Sequence, residues 1–547
     1  MQARSIRSPI PLVFLAAAFA AAPAVAQVHD HGPEHGFDKL GKVSFPVSCN
    51  PEAQKRFDYA MTVIHSFWWE LGDNAFSDVL AADPSCSMAW WGIALNAWNN
   101  PFAGGPAGQG LARGAEAAGK AGAAAATART PRERGFLNAA AALYRDHATT
   151  TNAQRMQAYA DTMARLYRDV PNDTEVAIYR ALALVATAPR TDTTFANQKQ
   201  AAAILNPLYA AHPDHPGLAH YIIHANDSPH LASLGLEAAR RYAEIAPSAP
   251  HAQHMPSHIF VRLGLWDETV GSNLKSYESG VAYSRAAQLP GVASHEFHAL
   301  DYAVYGYLQR GQDSAARAAV EVARGLTSVR VYNTLVGGYN RLAMEARIPL
   351  ERGDWAAAAA FTAEDAPDFP IVAGLAHFTR GIGAARSGNV EAARGAAAAL
   401  DSIGTVMEGK NEPYWARVAR IKGKIVASWA SFAAGDTTGG LALAKAAAEE
   451  EEVTDKSPVT PGELLPAREL HADMLLAAGR PTDAVTAYRA TLAREPGRAR
   501  SVYGIARAME LAGQRDDARR HYQVYLNLMV KADGTRPELA EAKKAVG

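Results

Sequence analysis

PEAQKRFDYAMTVIHSFWWELG (51–72), DNAFSDVLAADP (73–84) and SCSMAWWGIALNAWNNPF (85–102) decide the fold of this chain. Within each piece small and aromatic residues recur at helical spacing. Gly72 stands where a helix pair would turn inward, and Pro84 where it would turn outward. The same punctuation returns downstream. Inner-turn glycines are expected at Gly264, Gly311, Gly353, Gly388, Gly435, Gly479 and Gly513, and prolines at Pro171, Pro213, Pro247 and Pro496 end second helices. The steps Gly353 to Gly388 and Gly479 to Gly513 are 35 and 34 residues, and the others run from 42 to 47. No stretch alternates with a period of two over several strands. The reading is all-α: a stack of helix pairs forming a superhelix, or α-solenoid, whose first helices line a concave groove.

One region breaks the monotony of the repeats. HPDHPGLAHYIIHANDSPH (212–230), HAQHMPSHIFVRLG (251–264) and SHEFHALDYAVYGYL (294–308) hold ten of the 18 histidines. The pairs His220/His224 and His254/His258 are spaced i,i+4, which puts both side chains on one helix face. The second pair follows the first by 34 residues, the tetratricopeptide period, so the pairs fall at equivalent positions of successive first helices. His298 and Asp301 extend the theme into the next repeat. Pro256 should kink its helix or start it late.

Imidazole and carboxylate without thiolate suit Zn, Cu, Fe, Ni or Mn. The metal ligands expected are His220, His224, His254, His258, His298 and Asp301. His65, His251, His295, Asp227, Glu70 and Glu296 are possible additions, some as partners that fix imidazole tautomers. The competing reading is a polar groove or a set of hydrogen-bonded core histidines, and localisation to one region favours a site. Ser294-His295-Glu296-Phe297-His298 is only superficially like a zincin helix, because its histidines are i,i+3. No phosphate loop or nucleophile elbow stands out. Trp68, Trp69, Trp90, Trp91 and Trp98 read as stacking core.

The 547 residues carry a formal net charge of −1, which gives no electrostatic footprint for nucleic acid. Residues 1–26 read as a cleavable signal peptide: Arg4 and Arg7, the apolar PLVFLAAAFAA, and Ala24-Val25-Ala26 as the cleavage site. That implies a periplasmic or secreted protein beginning at Gln27, and no later stretch is apolar enough to span a membrane. Residues 27–48, with His29, His31 and His35, read as a His-rich flexible segment; 49–448 as repeats containing the groove at 212–301; 449–463 as an acidic, proline-containing linker; and 464–547 as C-terminal repeats. The Gly/Ala-rich 103–130 reads as a loop plus a weak helix, resuming at the Thr130 cap and Pro131. The only two cysteines, Cys49 and Cys86, are expected to form a disulfide in an oxidising compartment.

HSFWWELGDNAFSDVLAADPSCSMAWWGIAL (65–95), AHYIIHANDSPHLASLGLEAARRYAEIAPSAPHAQHMPSHIFVRLGLWDE (219–268) and HALDYAVYGYL (298–308) resemble exported bacterial tetratricopeptide repeat proteins of uncharacterised function. The resemblance covers roughly residues 45 to 310. It implies an all-α superhelix in the cell envelope and carries over no reaction, cofactor or catalytic residue. Two functions follow. One is a periplasmic scaffold whose groove binds a peptide or protein with a metal in place. The other is a metal-dependent enzyme, hydrolytic or oxidative, whose ion keeps an open position. A closed ligand shell favours the first and an open one the second.

Overall fold

The computed structural model describes residues 37–102, 104–331, 334–362 and 369–547. The expected leader at 1–26 and His29, His31 and His35 lie outside the described residues. The chain is an α-solenoid of antiparallel helix pairs. In the first half these include Pro216–Asn226 with Leu236–Ile245, and the broken first helix Pro250–His254 and Pro256–Leu263 with Trp266–Ala286. Further pairs are Pro370–Arg386 with Val390–Gly409 and Ala499–Leu511 with Arg515–Leu528. Regular strand is confined, among the described residues, to a short parallel pairing of Val292–Ala293 with Val329–Val331.

Local chemistry starts and stops these helices. Thr130 accepts from the Glu133 N–H with Pro131 at the first helical position, and Thr151 with Gln154 closes a capping box. The Gly/Ala-rich stretch forms a full helix, Gly108–Ala125. The seven expected inner-turn glycines from Gly264 to Gly513 all adopt positive φ. Gly264 is required twice over, because a Cβ there would also meet the Pro496 carbonyl. Gly72 corrects the expectation: it lies inside the Trp69–Ala82 helix, where a Cβ would strike Asn96, and the turn is made by Ser66–Trp68. Cys49 and Cys86 are joined by a disulfide, with Cα atoms 5.1 Å apart.

The superhelix curls back onto itself. Trp266 Nε1 donates to the Gly497 carbonyl at 2.9 Å, Arg498 to the Tyr305 hydroxyl at 2.9 Å, and the Ala499 N–H to Gln309 at 2.9 Å. The C-terminal repeats therefore close over the middle ones, and what would be an open groove becomes interior.

Two segments expected as loose are packed. Of the N-terminal stretch, residues 37–48 run extended over the first repeats with Leu40 and Phe45 buried, and the Phe45 N–H donates to Asp58 at 2.8 Å. The 449–463 stretch ends the Thr437–Glu452 helix and then crosses the interior as a strap. Arg347 donates to Thr460 and to the carbonyls of Gly462 and Glu463, and Asn340 donates to the Val459 carbonyl at 2.6 Å. Composition marked the strap as a linker, but satisfied backbone groups let a polar segment be buried.

Candidate metal centre

Six histidines meet beneath the strap in two groups of three. His220 and His224 come from the Pro216–Asn226 helix and His251 from the next first helix. His254 and His258 continue that helix across the Pro256 break, and His298 comes from the His295–Gln309 helix. In each group one potential ligand atom per residue lies within 4.8 Å of the others. His220, His254, His258 and His224 are 0%, 2%, 2% and 8% exposed, so they sit in the wall of the fold and not on an open groove.

In the first group, His224 Nε2 and His251 Nε2 both lie 3.1 Å from His220 Nε2. His220 Nδ1 donates to the backbone carbonyl of His65 at 2.7 Å. That carbonyl is free because His65 is the last residue of the Pro51–His65 helix. A neutral imidazole has one N–H and one lone pair, so His220 Nε2 is bare.

The second group is more constrained. His254 Nδ1 donates to Asn273 Oδ1 at 2.6 Å, and Asn273 is oriented by its own amide N–H on the Thr269 carbonyl. His258 Nδ1 donates to Asp227 at 2.9 Å. Both Nε2 atoms therefore carry lone pairs, and they face each other at 3.0 Å. Neither can donate to the other. A protonated pair is opposed by burial, which holds His254 well below the ordinary imidazole range and outweighs the pull of Asp227 on His258. Burial likewise pushes His220 down to about 3 and lowers His224, His251 and His298. These are neutral imidazoles aimed at common points, the form that ligates a metal.

Surrounding side chains hold this arrangement. Asp227, just past the helix that carries His220, also accepts from Arg262 at 2.9 Å and lies 3.8 Å from Lys456 of the strap. Burial would raise its carboxyl, but Lys456, Arg262 and His258 hold it well below the usual range. Tyr302 sits 4.8 Å from the His254 ring and donates to the strap carbonyls of Pro458 and Thr460. On the other side Phe67 stacks on His251 at 5.4 Å, and Phe102 covers His224 at 4.2 Å. Phe67 and Asn99 both sit at positive φ, conformations costly for non-glycine residues. A cavity of about 210 Å³ opens between these aromatics and His224, His251, His258 and His298.

The structure thus brings His220, His224, His254, His258 and His298 together and adds His251. It gives the other expected residues different work. Asp301 is a correction: it is fully buried against Arg347 at 2.8 Å and Asn340 at 3.1 Å, where it anchors the strap. Glu70 is paired with Arg330. His295 lies at the cavity edge beside buried Glu296, outside both groups. His65 joins His215 through Glu175, at 3.0 and 2.9 Å. Despite burial, the two imidazoles hold the Glu175 carboxyl below its usual range. Tyr221 stands 3.0 Å from His65 Nδ1, so the converging atoms of this third grouping are engaged with one another, while the buried His215 Nδ1 has no hydrogen-bond partner. Sequence reasoning missed Asn273, Phe102 and Lys456, because no periodicity points to residues that reach the histidines, or Asp227 beside them, from other elements.

A tetratricopeptide repeat family model matches residues 475–536. Residues 475–536 therefore carry a tetratricopeptide repeat. The rest of the solenoid follows the same helix-pair architecture with less regular repeat lengths. Similar solved structures include a monomeric mutant of IFIT1 with Gppp-AAAA, at 11% identity and TM-score 0.34, covering 93% of this chain and 98% of that one. The human IFIT1 dimer with m7Gppp-AAAA has 10% identity and TM-score 0.29, covering 89% and 91%. The P58(IPK) TPR domain has 14% identity and TM-score 0.21, covering 68% and 97%. No curated protein matches the chain. Repeat stacks of this kind present extended concave binding surfaces. No helix among the described residues is long and apolar enough to cross a membrane.

Proposed function

We propose that the protein is a metalloprotein whose repeat scaffold holds two transition-metal ions, one in His220/His224/His251 and one in His254/His258/His298. The observation that carries this is the 3.0 Å approach of His254 Nε2 to His258 Nε2, with both Nδ1 atoms committed elsewhere. Two bare lone pairs facing each other inside a protein are unfavourable unless a cation lies between them. Three imidazoles per ion leave a coordination position free, and a cavity adjoins both groups. An open shell beside a cavity favours ligand activation over a purely structural ion. The metal-dependent enzyme is therefore preferred to the passive scaffold, with peptide or protein binding left to the repeat surfaces outside the centre.

The reading includes export, supported by Arg4, Arg7, the apolar run and Ala24-Val25-Ala26, and by a disulfide between the only two cysteines. Elemental analysis of protein purified without chelator or affinity metal tests the centre: two transition ions per chain are expected. The His254→Ala, His258→Ala double variant should retain one. Equal metal in parent and variant, at unchanged helical signal, would remove the proposal.

A further inference from the structure

We infer that the two groups form a single dinuclear copper centre that binds dioxygen between its ions. This rests on the proposed function and deepens it. The first observation is adjacency. His251 and His254 lie three residues apart on one broken helix with ring centres 6.1 Å apart, and His224 lies 6.1 Å from His258 across the groups. Ions held by the two groups would therefore be close neighbours, the arrangement in which a small ligand can bridge a metal pair.

The second observation is charge. All six ligands are neutral, and the surrounding carboxylates are engaged or stand apart. Asp227 is held by Arg262, Asp301 by Arg347, Glu70 by Arg330 and Glu175 by two imidazoles, while Glu296 stands outside the groups. Two divalent ions would put four positive charges into a buried site with no anionic ligand, at a large desolvation cost. Two copper(I) ions put in two, and imidazole is a good copper ligand. Oxygenation then leaves the charge as it was. Each copper(I) gives one electron, the dioxygen double bond becomes the single bond of peroxide, and the product is two copper(II) with one bridging peroxide dianion. No proton or further reductant is needed, and the total remains +2.

The third observation is the cavity. Beside the histidines its lining is aromatic, with Phe67, Trp68, Trp69 and Phe102. Such a lining suits a small, largely apolar molecule.

The test is anaerobic loading of the full chain with copper(I), followed by addition of dioxygen. Expected are two coppers per chain and uptake of one dioxygen per two coppers. An intense near-ultraviolet charge-transfer band should appear, with no electron paramagnetic resonance signal because the two copper(II) spins are coupled. His251→Phe, at the cavity-lining end of the first group, should keep one copper and lose oxygen uptake and the band. Two coppers per chain with no uptake, or with the resonance of isolated copper(II), would overturn the dinuclear oxygen site and leave the proposed metal binding standing. Retention of no transition ion, whether copper, zinc or iron is supplied, would overturn both. Full oxygen uptake by His251→Phe would also overturn the inference.

Discussion

Replacing His254 by Leu should have opposite consequences with and without metal. In the metal-free protein His254 Nε2 opposes His258 Nε2 at 3.0 Å, and each unsatisfied acceptor costs about 1–3 kcal/mol. Leu removes that conflict and packs beneath Tyr302 and His298, at the expense of leaving Asn273 Oδ1 without its donor, again about 1–3 kcal/mol. The terms nearly cancel, so metal-free stability should change by less than about 2 kcal/mol, where a fully hydrogen-bonded buried side chain would cost more. Metal should reverse the ranking. At a free concentration of about one hundred times Kd each site contributes about 2.7 kcal/mol, so the parent gains about 5 kcal/mol and the variant about half of that. With about 2.1 cal/mol/K of unfolding entropy per residue over 547 residues, this is a rise of roughly 5 °C against roughly 2–3 °C. Thermal melts of both proteins, stripped by chelator and then titrated with copper or zinc, read these numbers directly. A stripped variant melting far below its parent, with the same metal-induced rise in both, would refute the lone-pair argument and return the histidines to the core.

Asp301→Ala should separate the strap from the metal: leaving Arg347 buried and unpaired costs about 3–5 kcal/mol, seen as a lower thermal midpoint, while metal content per folded chain stays at the parent value. Reducing the Cys49–Cys86 bond, which spans 37 residues, should lower stability by about 3–4 kcal/mol without releasing metal, and thiol titration of the unreduced protein should find none free. His471, lowered to about 4 by burial and then by Arg468 and Arg480, lies far from the centre in sequence and outside its groups. Its folded pKa is below the unfolded value of about 6.5, so the unfolded chain binds the extra proton and stability is lost as pH falls from about 6.5 towards 4. His471→Leu should therefore lose less thermal stability than the parent between pH 7 and pH 5, by up to about 2 kcal/mol before solvent screening is allowed for. An identical pH profile would contradict its buried neutral state.

The sequence by itself determined the fold class and pointed to five of the six histidines that the fold gathers. The inner-turn glycines from Gly264 onward, the Thr130-Pro131 start and the break at Pro256 act through backbone conformation within a few residues, so they are legible locally. The i,i+4 pairs and their 34-residue offset are legible for the same reason: helical and repeat periodicity are properties of the chain. Gly72 was misleading because an aromatic-rich helix needed a small residue against Asn96, and a glycine required by packing reads like one required by a turn. Asp301 shares the helix face of His298 in sequence, and only the arrival of Arg347 from the Tyr339–Glu351 helix claims its carboxylate. The division of six imidazoles into two groups, the choice of Nδ1 partners and the aromatic wall were decided by tertiary structure alone. Asn273, the His65 carbonyl and the strap at 453–466 lie between 19 and roughly 200 residues from the histidines they orient or cover. Pairing of the Trp266–Ala286 helix with the broken helix brings in Asn273, long-range packing brings in the His65 carbonyl and the strap, and a lone pair's direction is fixed by the partner on the ring's other nitrogen.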